Sequence, residues 1–321
     1  MRFQWLAIFA AMAVSAGSAQ AQAKFLPESN NAALRYWAAL VQMRDNPLGD
    51  EAKQKMWSAV WMGEGWDEAK DGPVLDAYAE AIQTMQRGTK LPECNWGLDF
   101  QLLDQNVVEM SMRARGLEQL NTALGVRELA KGDSKAAAET WLAGIRFGQD
   151  VGRGGPVIFA LIGSALLVDT LDAAARYVGP GKLAEAQREE LYAAVKAMPE
   201  DGFDWGVAWG VEAAIGEESL RKLQKADDPG AYYKRMGMAV PKGVPPSEQD
   251  VEKYSEFMLA AQGALREPPK KAKPMLEDME SRERKLSQVV QLMLVSPVKC
   301  NETRAKVAAA REQLLQALAT N

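Results

Sequence analysis

The sequence has no histidine. That removes Ser-His-Asp and Cys-His catalysis, His-ligated zinc, haem on a proximal histidine and a histidine pH switch. Cysteine is limited to Cys94 and Cys300, and two thiols without histidine do not make a standard zinc site. The Asp-x-Asp-x-Asp-Gly pattern of a calcium loop is missing. Positive charge is not in excess: 38 Lys plus Arg stand against 43 Asp plus Glu, a net charge of −5. A chain so balanced lacks the broad basic surface that nucleic acid or anionic lipid requires. No segment of four to eight residues alternates cleanly with β-branched side chains, so no significant sheet is expected. No metal or cofactor is implied by any of its residue patterns.

What is present is ordinary globular composition, 47% apolar and 25% charged over 321 residues. Residues 1–23 have the form of a secretory signal peptide. Arg2 gives a short positive start, Leu6 to Val14 is an unbroken apolar run, and Ala19-Gln20-Ala21 and Ala21-Gln22-Ala23 offer small-x-small cleavage sites. No Cys follows them, so lipoprotein processing is not expected. The leader is bacterial in style, and the expected location is the periplasm or the exterior. About 300 residues remain, enough for one large domain or two ordinary ones. Their longest apolar stretch, 157–168, ends at Asp169 and is short of the roughly 20 residues that span a bilayer. It reads as a buried core helix, not a membrane anchor. In an oxidising compartment Cys94 and Cys300 are candidates for a disulfide, the alternative being two separate buried thiols.

Helical periodicity dominates the remainder. Ser29 can cap a helix whose apolar stripe is Ala33, Leu34, Trp37, Leu40 and Val41, stopped by Arg44-Asp45-Asn46-Pro47. Further helices are expected at 50–62, from Pro73 to Gly88, and, after a loop over 89–101, at 102–131, 134–151, 156–178, 182–198 and 203–226. Residues 227–247, with four prolines, read as a surface loop holding one short helix near Tyr232. Helices at 247–266, 273–295 and 299–319 close the chain, with Pro268-Pro269-Lys270-Lys271 as a turn. The expected organisation is a helical main domain over 24–226, the Pro/Gly-rich loop, and a three-helix segment over 248–321 packed on that domain.

Leu124-Gly125, Gly132-Asp133, Ala137, Trp141, Gly144 and Ile145 have the spacing of one tetratricopeptide (TPR) unit. The segment 118–151 resembles that family, with Gly144 replacing the more usual alanine. The resemblance implies two antiparallel helices brought close by small residues, with Trp141 filling the space between them. Neither 84–117 nor 152–185 repeats the spacing, and an array needs about three units. One TPR-like hairpin inside a helical bundle or short α-solenoid is therefore expected. The chain also resembles a group of uncharacterised, helix-rich secreted bacterial proteins. That likeness is carried by Asn31-Ala32-Ala33-Leu34-Arg35-Tyr36-Trp37, Cys94-Asn95-Trp96-Gly97, the hairpin and Gly154-Gly155-Pro156, and it implies secretion and an all-α fold, with no activity attached.

Two tryptophan pairs, Trp57 with Trp61 and Trp205 with Trp209, each lie four residues apart on one helix face. Such rings either fill a core or stack on sugars and apolar peptide side chains. Glu212 follows Trp205 and Trp209 on the same face, and Gly216 one turn on would open a groove. A carboxyl against indole faces has the raised pKa that a general acid in glycoside cleavage needs, and Asp201 or Asp204 would supply the second carboxylate. The structural alternative pairs Glu212 with an arginine. Gly152-Arg153-Gly154-Gly155-Pro156 can hold an anion at a helix start but lacks the residues of a P-loop, and a helix–helix turn is the simpler reading.

The expected function is a non-enzymatic binding or assembly module that takes a protein, peptide or envelope component in an apolar, aromatic-lined groove between hairpins. The alternative is a glycan-cleaving enzyme using Glu212, and a third possibility is a purely structural component. The leader gives a direct prediction. Intact-mass measurement on protein recovered from the periplasm or medium shows a chain beginning at Gln22 or Lys24; a chain retaining Arg2 refutes the cleavage.

Overall fold

Every regular element among the described residues is helical. A computed structural model describes residues 29–43, 50–98, 105–179, 181–235, 239–242 and 244–320. The leader, with Ala21 and Ala23, and the Arg44–Pro47 stop lie outside them. Among the described residues the one β contact is an isolated bridge between Asn31 and Glu93. Residues from Asn31 onward form one compact unit.

Helix α1 (Ala32–Gln42) is capped by Asn31, not by Ser29. The Asn31 side chain accepts from the Ala33 amide at 3.2 Å and exchanges two 2.8 Å bonds with the Asn95 backbone, so one amide fixes both the helix start and a distant loop. The buried face is Ala32, Ala33, Tyr36, Ala39 and Leu40. Leu34 and Val41, expected inside, are more than half exposed. Tyr36 takes the core position because its hydroxyl reaches the Asp150 carboxylate at 2.7 Å, which turns Trp37 to the edge.

After α2 (Asp50–Met62) come α3 (Glu68–Ala77) and α4 (Ala79–Gly88). Asp67, not Pro73, opens this segment: its carboxylate accepts from the Ala69 and Lys70 amides. Pro73 therefore sits inside α3, where it lacks an N–H, and the helix is interrupted at Tyr78. The long α5 (Gln105–Ala130) and α6 (Ser134–Gly152) form a hairpin, with Asp133 capping α6 through the Ala136 amide. Next are α7 (Val157–Tyr177), α8 (Glu185–Ala197) and α9 (Trp205–Gln224), followed by the short α10 (Pro229–Arg235) near Tyr232. Ser247 and Asp250 form a capping box on α11 (Glu248–Ala264). The expected turn at Pro268–Lys271 is instead a helix start, since Pro269 occupies the first turn of α12 (Pro269–Glu283), where its missing N–H costs nothing. A break at 284–287 then separates α13 (Gln288–Met293) from it, and α14 (Pro297–Ala319) follows.

The architecture is all-α, as the sequence predicts, and α7 is its axis. Helices α5, α6, α9 and α14 all pack on it. By length and composition α7 could cross a membrane, yet two-thirds of its most apolar window is buried within the protein, as a core helix would be. The C-terminal segment enters this core directly. Val307 of α14 approaches Leu167 of α7 at Gly202, and α11 packs on α9. Arg304, buried on α14, donates to Asp201 at 2.7 Å, to Asn301 at 2.9 Å and to the Glu267 carbonyl at 2.6 Å. Three partners around one guanidinium tie α14 to the α8–α9 connection and to the turn before α12.

Glycine sets the spacing of α6 and α7. A Cβ at Gly163 would overlap the backbone of Gly152 and the Gly148 carbonyl, so the two helices touch main chain to main chain. Gly163→Ala is expected to lower unfolding stability by about 1–3 kcal/mol or more, read from urea denaturation. Gly179→Ala, where a Cβ meets nothing within 4 Å, should be near neutral or slightly stabilising.

Candidate functional site

A groove of about 740 Å³ opens between α4 and the α5–α6 hairpin. Ile82, Thr140 and Ala143 line it as buried residues, with the half-buried Leu124, Ala79 and Ala136 beside them. Gln86 of α4 donates to Asn121 of α5 at 2.9 Å, and Asn121 donates to the Thr140 carbonyl at 2.8 Å. This chain of amides holds the three helices together beneath the groove. Asp76, Glu128, Glu139 and Lys90 stand on its rim with two arginines. Arg127 is clamped by Asp76 at 2.7 Å and by Glu68. Its guanidinium and the Trp66 indole bond the Glu68 carboxyl and hold it down at about 2. Arg146 is anchored on Asp150 at 3.1 Å and reaches the Pro92 carbonyl at 3.5 Å. No aromatic ring lines the groove, so the aromatic-lined concavity expected from the sequence is not found here.

Behind the groove lies a polar cluster that sequence reasoning missed. Glu118 of α5 is fully buried and accepts from the Thr170 hydroxyl at 2.5 Å and from Thr122. Its second carboxylate oxygen has no partner, and neither has the buried Ser164 hydroxyl. Burial, with Asp169 nearby, raises the Glu118 carboxyl to about 8, against the opposing bonds from Thr122 and Thr170. Asp169 is engaged by Arg115 and Gln119, each at 3.2 Å. The sequence carries no local signal for it, because its burial comes from neighbouring helices: between Ala114 and Val126, α5 is buried on nearly all sides. A helix covered all round must bury its polar residues too.

The tryptophans have separate fates. Trp205 and Trp209 are buried, with their indole N–H groups on the Asp201 and Met258 carbonyls, and neither ring offers a face to a ligand. Trp57 and Trp61 pack together with ring centres 5.9 Å apart and are half-buried. The Arg176 guanidinium lies 5.0 Å from the Trp61 ring and donates to its carbonyl. Neither pair lies on the groove.

Glu212 is partly buried beside a small apolar pocket of about 330 Å³ walled by Pro156, Val157, Ile158, Leu161, Ile215 and Val295. Among the described residues it pairs with no arginine; its carboxylate accepts from the Val157 amide at 3.1 Å and so caps α7 from a neighbouring helix. Burial raises its pKa, opposed by that bond. The groove expected at Gly216 is filled, because Tyr254 occupies the space a side chain there would need. Of the two partner carboxylates, Asp201 is held by Arg304 and Asp204 caps α9 at the Gly206 amide.

Cys94 and Cys300, the candidate disulfide pair, are separate free thiols. Cys94 is drawn to the Asp150 carbonyl at 4.0 Å, while Cys300 is buried in α14. Burial raises both thiols to about 12, which leaves them poor nucleophiles. The four segments that carry the likeness to secreted helical proteins converge on Asp150. Tyr36 bonds its carboxylate, the Trp96 indole bonds its carbonyl at 3.1 Å, Trp37 bonds the Trp96 carbonyl, and Gly154 seats the Trp96 ring. Gly152–Pro156 makes the expected helix–helix turn.

Among the described residues no group of three or more His, Cys, Asp or Glu is placed to hold a metal ion. No family model, curated protein or solved structure matches the chain.

Glu118 makes stability depend on pH. Its folded pKa is raised, so below the ordinary glutamate range both states carry the proton and the stability it confers is fully present. As pH climbs through about 8 the unfolded chain has already released that proton, and the stability is lost. Wild-type urea midpoints should therefore fall between pH 5 and about 8, and Glu118→Gln should flatten that fall. A parallel decline in both proteins would refute the assignment.

Proposed function

We propose that the protein is a secreted or periplasmic, non-enzymatic binding or assembly module that takes a protein, peptide or envelope component between α4 and the α5–α6 hairpin. The observation that carries this reading is the groove itself. Buried Ile82, Thr140 and Ala143 line it, and its two arginines are pre-oriented by Asp76, Glu68 and Asp150. Groups fixed before a ligand arrives lose little freedom on binding. The signal-like leader supports the compartment, and the TPR-like spacing over 118–151 supports recognition by paired helices.

The second reading, glycan cleavage by Glu212, has in its favour a carboxyl of raised pKa beside an apolar pocket. It lacks a free second carboxylate and open stacking rings. One experiment separates the two. Purified protein is presented to immobilised cell-wall glycan and to envelope extract as wild type, Glu212→Gln and Gln83→Trp, the last placing an indole at the groove. Wild type and Glu212→Gln should retain the same defined component, and Gln83→Trp should lose it by about tenfold or more. Soluble glycan released by wild type but not by Glu212→Gln would make this an enzyme. Retention unaffected by Gln83→Trp would move the site out of the groove.

A further inference from the structure

The two ends of the groove carry opposite charge. At one end Arg127, in its clamp, is outnumbered by Asp76 and Glu128, with Glu139 a short way along α6. At the other stand Lys90, just past the end of α4, and Arg146, whose contact with the Pro92 carbonyl places it beside that same turn. Asp150 partly balances Arg146 from the buried side, and Lys135 lies 3.8 Å from Glu139 on the outer side. Even with Arg127 at the acidic end, the balance of lining charge is negative at that end and positive at the other. Between the ends, Ile82, Leu124 and Ala143 offer apolar contact and Gln83 an amide.

From this division we infer that the groove binds a short peptide with both termini free, its ammonium end at Glu128 and Glu139 and its carboxylate end at Lys90 and Arg146. The inference rests on the binding reading above and names the ligand class for that groove. Length supports it: from Ala136 to Arg146, α6 advances about 15 Å, and an extended chain covers that distance in four to five residues at about 3.3 Å each. A guanidinium fixed by a carboxylate recognises a planar carboxylate through charge-assisted bonds. Apolar contact along the middle suits aliphatic side chains. A neutral glycan would leave both charged ends unmatched and would find no ring to stack on. The interior of a long polypeptide would bring neither terminal charge.

The test is calorimetric titration of the purified protein with a pentapeptide of alanine and leucine in three forms: free at both ends, N-acetylated and C-amidated. The free form should bind, and each block should weaken binding by about tenfold or more. In Glu128→Gln/Glu139→Gln, acetylation should lose most of its effect while amidation keeps its own. In Lys90→Gln the amidation penalty should shrink and the acetylation penalty remain. Unchanged circular dichroism and urea midpoints show that these surface variants fold. Equal affinity for free and blocked peptides, with both lost in Gln83→Trp, overturns the inference and leaves the groove as the binding site. Failure of the free pentapeptide to bind also overturns it, and the groove reading then depends on envelope retention and its loss in Gln83→Trp.

Discussion

The contact between the backbones of Gly163 and Gly152 governs the arrangement of the other helices. It brings α7 against α6 at a separation no side chain permits. That closeness lets an apolar helix be covered on several sides at once. The same device recurs one layer out, where the Trp141 indole fills the space that a side chain at Gly125 would need, and where Gly144 lies against Asn121 and Thr170. Three helices joined by small residues leave little play between them, and the groove inherits its fixed floor from that rigidity.

Buried polar groups sit at the joints between these layers, met by partners to different degrees. Asp150 gathers a tyrosine, an arginine and, through its backbone, an indole, and thereby binds α1 and the 92–97 loop to α6. Asp201 is neutralised by Arg304. Glu118 has no cation in contact and avoids the expense of a bare charge by keeping its proton. A buried pair broken on one side is strongly destabilising, so the Asp201–Arg304 joint fixes the helices on either side of it to each other.

Much of this fold was legible because helix periods and stop signals are local. The Gly132-Asp133 break, the glycine turn at 152–156 and the short helix near Tyr232 are written in consecutive residues. The errors arose where a distant partner decided. Tyr36 displaced Trp37 from the core because Asp150, over a hundred residues away, accepts its hydroxyl. Pro73 is a local exception: Asp67, six residues earlier, already caps the helix that contains it. At the sites, the tryptophan pairs were visible but not their burial, and Gly216 pointed to an opening that Tyr254 fills. Glu118 and Gln86 carry no local signature, since their significance comes only from the helices that enclose them. The groove belongs to the same class: its residues come from four helices, α3 to α6, and share no motif.

The position of α14 has a consequence for how the chain is made. α14, which covers part of the surface of α7, is made only after α8 to α13 have followed α7. A ribosome-bound chain ending before Pro297 therefore carries a hydrophobic seam with nothing to close it, and such seams invite aggregation. That face of α7 therefore stays uncovered until Pro297–Ala319 has been made.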